Sequence, residues 1–247
     1  MAEYGSVRFV DKVGNNLLFR GGAPIVNGTF DTDLPAKLKT AYLPLPFPPQ
    51  FYLVVICLLH PNVDDSPSII HELSYFRDNP LSGEAHFWDT LGTDRCYFTT
   101  APDERDRLVK SIEQRLGDPL IWRAATLRQW LESSQTPYKP SAVISLPCVF
   151  YVHCSGGCDR TGEMIGAYRL RYNGRSWAQM WSEQPCGRPM GCGNYRALQW
   201  YAFWLNETYG LRLSDIGEDS GCYDGNSRKV LKLCSPLPGD AAGAVAR

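Results

Sequence analysis

Val149-Phe150-Tyr151-Val152-His153-Cys154-Ser155-Gly156-Gly157-Cys158-Asp159-Arg160-Thr161-Gly162-Glu163 is the stretch on which the reading of this 247-residue chain turns. Four apolar, β-prone residues run into a His-Cys pair. Two glycines turn the chain, and Met164 to Leu170 follow with helical spacing. The pattern predicts a buried strand, a tight loop and a helix N-terminus. Such a loop aims several backbone N–H groups at one point, and the helix dipole adds partial positive charge there. That point favours an anion with tetrahedral oxygens, and a cysteine at its centre has its thiolate stabilised by the same field. Arg160 adds a planar, permanently charged fork that fits two phosphate oxygens. Gly156 and Gly157 let the backbone close in without a Cβ.

His153-Cys154, five intervening residues, then Arg160-Thr161-Gly162 resembles the signature loop of the cysteine-dependent phosphatases, the protein tyrosine and dual-specificity superfamily. The resemblance implies that Cys154 is a nucleophile forming a phosphocysteine. It implies a phosphate cradle of Ser155, Gly156, Gly157, Cys158, Asp159 and Arg160. Thr161 would stabilise the sulfur as leaving group, and His153 would support the loop. No metal or cofactor is implied. The plain structural readings are a buried cysteine at a strand end for Cys154 and a helix N-cap for Thr161. Two further stretches share the resemblance. Arg20-Gly21-Gly22-Ala23-Pro24 is similar to the opening of many dual-specificity phosphatases, although by itself it reads as a turn with a solvent-facing arginine. Arg188-Pro189, Asn194 and Leu198 are similar to the pattern that follows the signature loop. Together they cover about residues 16–209.

A general acid must protonate the leaving oxygen. In most of the superfamily it is an Asp some thirty-odd residues upstream of the cysteine. Asp118 lies 36 positions before Cys154, in a Gly-Asp-Pro break that also suits a helix cap. Asp103 and Asp106 lie further upstream. Asp159 is the other candidate. Cys-Ser-Gly-Gly-Cys-Asp-Arg-Thr is similar to the myotubularin loop, Cys-Ser-Asp-Gly-Trp-Asp-Arg-Thr, and its ending resembles the Sac-type loop. That likeness implies a phosphoinositide substrate and Asp159 as the acid. Much of the myotubularin chain has no counterpart here, and the loop lacks lysines. A negative Asp159 disfavours a crowded polyanion, so a singly phosphorylated group is expected. His86, Trp88 and Asp89 read as a structured loop with a packed Trp rather than a metal or catalytic group.

Net charge is −1, and Lys and Arg are scattered, so no broad face for nucleic acid is implied. No apolar run is long enough to span a bilayer, so no stable membrane insertion is expected, and the N-terminus lacks a signal peptide's apolar core. The nine cysteines are Cys57, Cys96, Cys148, Cys154, Cys158, Cys186, Cys192, Cys222 and Cys234. Their odd number and the cytoplasmic reading predict reduced thiols rather than a disulfide scaffold. Cys186 and Cys192 miss the short spacing of a zinc pair. Cys158 reads first as a small loop filler; alternatively, in an oxidant, Cys158, or Cys148 or Cys57 instead, would trap a Cys154 sulfenate.

Along the chain, strands are predicted at 6–10 and 16–19, joined by a hairpin at Gly14-Asn15. Residues 30–50 read as a proline-rich loop, 51–59 as a buried strand and 68–77 as a helix capped by Ser68. Residues 78–94 read as irregular and 95–99 as a strand. Helices are predicted at 102–116, 120–133, 161–172, 175–182 and 194–209, with 142–152 leading the chain to the central strand. The expected fold class is α/β, a protein-tyrosine-phosphatase-like fold with a twisted sheet of four to five strands flanked by helices. Residues 1–210 form the phosphatase domain, 211–234 an extension and 235–247 a disordered tail. The expected activity is hydrolysis of phosphate monoesters on a phosphoprotein, of tyrosine or dual-specificity type. The alternatives are a phosphoinositide or inositol phosphate substrate, and a non-catalytic phosphate-binding module.

Overall fold

The chain's most apolar runs end up with both faces covered. In the computed structural model, which describes residues 5–43, 45–112, 119–184, 186, 188–217, 221–224 and 229–231, the chain opens with an antiparallel hairpin. Its strands are Arg8–Val13 (β1) and Asn16–Gly21 (β2), turning at Gly14 with φ 59°. Two short strands follow, Ile25–Val26 (β3) and Thr29–Phe30 (β4). Then come helix Leu34–Ala41 (α1), strand Tyr52–Cys57 (β5), helix Ser66–Asp78 (α2) and strand Gly83–Phe87 (β6). Helices Pro102–Lys110 (α3) and Leu120–Ser133 (α4) lead to strand Cys148–His153 (β7). Helices Asp159–Tyr172 (α5), Trp177–Ser182 (α6) and Cys192–Tyr209 (α7) complete the main body. A last antiparallel pair is Cys222–Asp224 (β8) and Lys229–Leu231 (β9).

The result is a mixed α/β architecture: a five-stranded sheet, order β1-β2-β7-β5-β6, parallel except for β1, flanked by helices. Every residue of β5 and β7 is buried, as expected of central parallel strands. Alternation along the strands divides the core. Val149, Tyr151, Leu53 and Val55 face the layer of α1 and α2, while Phe150, Val152, Val54 and Ile56 face the layer of α4, α5 and α7. Leu120, Ala124, Leu127 and Leu131 supply the buried stripe of α4 that their spacing predicts. Ser176 and Gln179 form a reciprocal capping box that starts α6.

Several expectations are corrected. Residues 34–41 are helical, because Pro35 sits in the first turn, where a missing N–H costs nothing, and Leu34 and Leu38 bury one face. Residues 83–87 form an edge strand. Its pattern was hidden because Glu84 and His86 are buried, paired with each other at 2.5 Å. Residues 95–99 are not a strand; Tyr97 instead stacks on Phe203 at 3.5 Å between ring centroids. Helix α2 begins at Ser66, with Asp65 rather than Ser68 at the N-cap position, and the Asp65 side chain makes no cap bond. The far end of the helix predicted at 102–116 and the predicted tail, 235–247, lie outside the described residues.

The thiols are corrected too. Cys158 is disulfide-bonded to Cys186 and Cys192 to Cys222, and Cys96 is also in a disulfide. The partners stand 28 and 30 residues apart, with Cα atoms 5.8 and 4.7 Å apart. The fold brings each pair within bridging distance, and no short spacing announces them.

One buried side chain knots three elements. Asn16 donates to the Leu131 carbonyl and to Ser134 Oγ, each at 2.7 Å, and accepts from the Cys148 backbone N–H at 2.7 Å. Asn16→Ala strands the Cys148 N–H and the Leu131 carbonyl in the interior. Each group left unpaired costs about 1–3 kcal/mol. Urea unfolding of the variant is expected to show a lower midpoint with an unchanged slope.

Candidate active site

The C-terminal ends of β2, β7, β5 and β6 lie level, with Gly21 opposite His153, His153 opposite Cys57 and Cys57 opposite Phe87. One edge of the sheet therefore gathers four segments: Gly21-Gly22-Ala23, Leu58 to Asp65, Trp88-Asp89, and the loop from Cys154 to Cys158. The loop joins β7 to the first turn of α5, as its sequence predicts, and Cys154 is buried there.

The environment of Cys154 sets its charge. Burial by itself pushes the thiol up. The Thr161 hydroxyl and backbone N–H, with the charges of Arg160 and His153, outweigh burial and hold it below the ordinary thiol range. The Thr161 hydroxyl is buried and has no nitrogen or oxygen partner among the described residues.

Beneath the loop, Arg20 is fully buried. It donates to the Gly157 carbonyl at 2.9 Å and to Gln184 Oε1 at 3.2 Å, so the solvent-facing reading of Arg20 is wrong. Burial, with Arg169 nearby, lowers its pKa to about 9. Ala23 N–H donates to the Ser155 carbonyl at 3.0 Å, and Tyr151 Oη donates to the Gly22 carbonyl at 2.6 Å. Gly157 has φ 70°, and a Cβ there would stand 2.5 Å from the Gly21 carbonyl, so only glycine fits.

His153 supports the loop from below. Its Nε2 is 2.9 Å from Glu72 Oε2, both fully buried. Burial opposes its charge, but the Glu72 carboxylate and the Cys57 sulfur raise its pKa well above the usual imidazole range. Cys57, Glu72 and His153 have ligand atoms within 4.8 Å of one another, a set chemically able to hold a metal ion.

Arg160 donates from Nη1 to Asp65 Oδ2 at 2.7 Å. Asp65 also accepts from the His60 backbone N–H at 3.3 Å, and His60 Nδ1 stands 3.0 Å from both Asp89 oxygens. A polar chain therefore runs from Arg160 through Asp65 and His60 to Asp89. Arg123 holds the Asp89 loop from α4, donating to the Asp89 carbonyl and to Thr90 Oγ1.

The structure separates the predicted residues. Cys154, Ser155, Gly156, Gly157, Cys158, Asp159, Arg160 and Thr161 come together with His153. Asp118 lies outside the described residues. The Asp159 carboxylate accepts three hydrogen bonds from two partners, Arg188 Nη1 at 2.8 Å, Arg188 Nη2 at 2.6 Å and the Gly191 N–H at 2.6 Å. Asn194 holds Glu163 at 2.7 Å, one turn into α5, and Leu198 packs on Gly166. Cys158 is in a disulfide and cannot trap a sulfenate. Cys57, Cys148 and Cys154 are the free thiols among the described residues, and Cys57 stands at the same sheet edge as Cys154. Cys158, Cys186 and Cys192 are not available as zinc thiolates.

Sequence reasoning missed Asp65, His60 and Glu72. Asp65 and Arg160 are 95 residues apart, and only the parallel pairing of β5 with β7 brings them together. Asp89 gains a signal only once β6 is read as a strand, because it stands two residues past that strand's end. A cavity of about 760 Å³ does not have Cys154 in its lining. It lies between α3, α4 and α7, with Leu91 and Gly92 at one wall. No known protein family model matches the sequence, and no curated protein matches it.

Thr161→Ala is expected to move the pH midpoint of Cys154 alkylation by iodoacetate upward, toward or past the ordinary thiol value of about 8.5. Mass spectrometry of the alkylated chain identifies the residue. Because His153 has a raised folded pKa, its pairing with Glu72 stabilises fully below about pH 6.5 and is lost as pH rises through the folded value. Glu72→Gln is expected to cost about 3–5 kcal/mol in denaturant unfolding and to abolish that alkaline loss.

Proposed function

We propose that this chain is a cysteine-dependent phosphatase that hydrolyses phosphate monoesters through a phosphocysteine. One observation carries the reading: a buried cysteine, held below the ordinary thiol range, sits where a loop of N–H groups meets the start of a helix, with Arg160 and Thr161 in that first turn. A phosphate-binding module needs no activated sulfur. The sheet order and the position of the loop at the end of central strand β7 support the protein-tyrosine-phosphatase-like fold implied by the signature loop.

In this reading Cys154 attacks phosphorus, and the loop N–H groups with Arg160 stabilise the equatorial oxygens as charge redistributes. Thr161 then favours departure of the sulfur when water attacks. His153 and Arg20 hold the loop in shape. For the acid we favour Asp89 over Asp159. The two side chains are equally exposed, but Asp159 is bound by Arg188 and by the Gly191 N–H, while Asp89 leaves β6 at the sheet edge that carries Cys154 and its carboxylate is held by His60 alone among the charged side chains of the described residues. The phosphoinositide likeness rested on a catalytic Asp159, so its support weakens, and a singly phosphorylated protein side chain is the preferred substrate.

Turnover of phosphotyrosyl peptides and of singly phosphorylated phosphoinositides, measured against Cys154→Ser as blank, tests the reading. Peptide turnover above the blank is expected. No turnover on either would instead favour a binding module. Asp89→Asn is expected to lower kcat by roughly 10²-fold or more on a poor leaving group and to spare an activated aryl phosphate. Asp118→Asn and Asp159→Asn, run beside it, show whether the same selective loss belongs to one of them.

A further inference from the structure

The segment between α6 and α7 is fastened to the first turn of α5 at successive points. Cys186 is bonded to Cys158, the last residue of the phosphate loop. Arg188 forks onto both oxygens of Asp159, the next residue, and the Gly191 N–H donates to the same carboxylate. The segment is itself anchored from the far side. Cys192 is bonded to Cys222, Tyr223 N–H donates to the Met190 carbonyl at 2.8 Å, and the Arg188 guanidinium lies 4.5 Å from the centre of the Tyr223 ring. Arg160 follows directly in the chain. The loop and the arginine that would grip phosphate are thus set against a strap with a covalent tie at each end.

We propose that Cys186 and Arg188 are positioning residues for the phosphate loop and Arg160, and that the form with the Cys158–Cys186 bond closed is the active one. The inference rests on the phosphatase reading. A ring of N–H groups aimed at one point repels itself when no anion is bound, so its shape must be imposed from outside. Arg20 imposes it from the β2 side, and the strap imposes it from the α7 side. A displacement of about 1 Å in such a site costs up to roughly 10²-fold in rate. Reduction therefore acts in two opposed ways. It keeps Cys154 as a thiol, and it opens the strap.

The chemistry is ordinary thiol exchange. A dithiol reductant attacks one sulfur of the Cys158–Cys186 bond as a thiolate and forms a mixed disulfide. Its second thiol then closes the reductant's ring, leaving two cysteine thiols on the protein; two electrons and two protons pass from the reductant. The proposal also replaces the cytoplasmic expectation with a compartment in which disulfides persist.

The test uses the full chain and an aryl phosphate, with kcat and KM followed during graded reduction by dithiothreitol. Thiols are counted by alkylation and mass spectrometry, and the fold is followed by circular dichroism. The expected result is a loss of kcat/KM of about tenfold or more as the Cys158–Cys186 bond opens. The Cys158→Ala, Cys186→Ala double variant should sit at the reduced level whether or not reductant is present. In the same samples, the pH midpoint of Cys154 alkylation should rise. Unchanged kcat/KM and an unchanged midpoint with the bond shown open would overturn the proposal. If the reduced chain unfolds, Arg188→Lys decides with the bonds closed: lowered kcat at unchanged Tm supports positioning, and unchanged kcat overturns it. If the oxidised protein gives no turnover above Cys154→Ser, the phosphatase reading fails, and the alkylation midpoint alone still reports whether the strap shapes the loop.

Discussion

A helix start that is buried at the end of a central strand must find partners for its backbone N–H groups, and in α5 the N–H of Thr161 is directed at a sulfur. That constraint organises the surroundings of the loop. The field that the N–H groups create makes a thiolate tolerable in the interior. The same field makes the loop costly to hold open, so each neighbouring element contributes a restraint: Arg20 from β2, His153 from β7, and Arg188 with Cys186 from the segment before α7. The glycines are where these restraints come closest, with the Gly157 Cα packed against the Gly21 carbonyl.

Charge in this interior is arranged in opposed pairs rather than excluded. Glu72 faces His153, Asp65 faces Arg160, Asp159 faces Arg188, and Glu84 faces His86. A buried pair contributes little net stability compared with apolar residues of the same shape, but losing one partner is expensive. Such pairs therefore specify geometry. They fix which side chains reach the sheet edge and in what state of charge, and this is the property a nucleophilic sulfur requires of its neighbours.

The sequence showed the central event and hid its context, for physical reasons. The strand, loop and helix from Val149 to Leu170 are local, and periodicity reads local structure. Helix α4 was legible because its buried stripe is unbroken. Strand β6 was not, because Glu84 and His86 satisfy each other in the interior and so mimic a solvated loop. Asp65, His60 and Glu72 became visible only when β5 and β7 were laid side by side, since nothing in their own neighbourhoods announces Arg160 or His153. The disulfides were misread for the same reason: their partners are set by the packing of α5 against the α6–α7 segment and of α7 against β8, not by spacing.

The contact between Asp65 and Arg160 has a consequence for what reaches the sulfur. With this contact in place the site carries its own counter-ion: Asp65, at the start of α2, gives up a helix cap to neutralise the guanidinium. An oxyanion that arrives at Arg160 does not meet a bare cation. It meets an occupied one and has to exchange with a carboxylate already in place. Small, weakly coordinating ions of the surrounding solution compete poorly in such an exchange, whereas a more highly charged oxyanion competes better. Discrimination against ambient salt is thereby built into the resting arrangement.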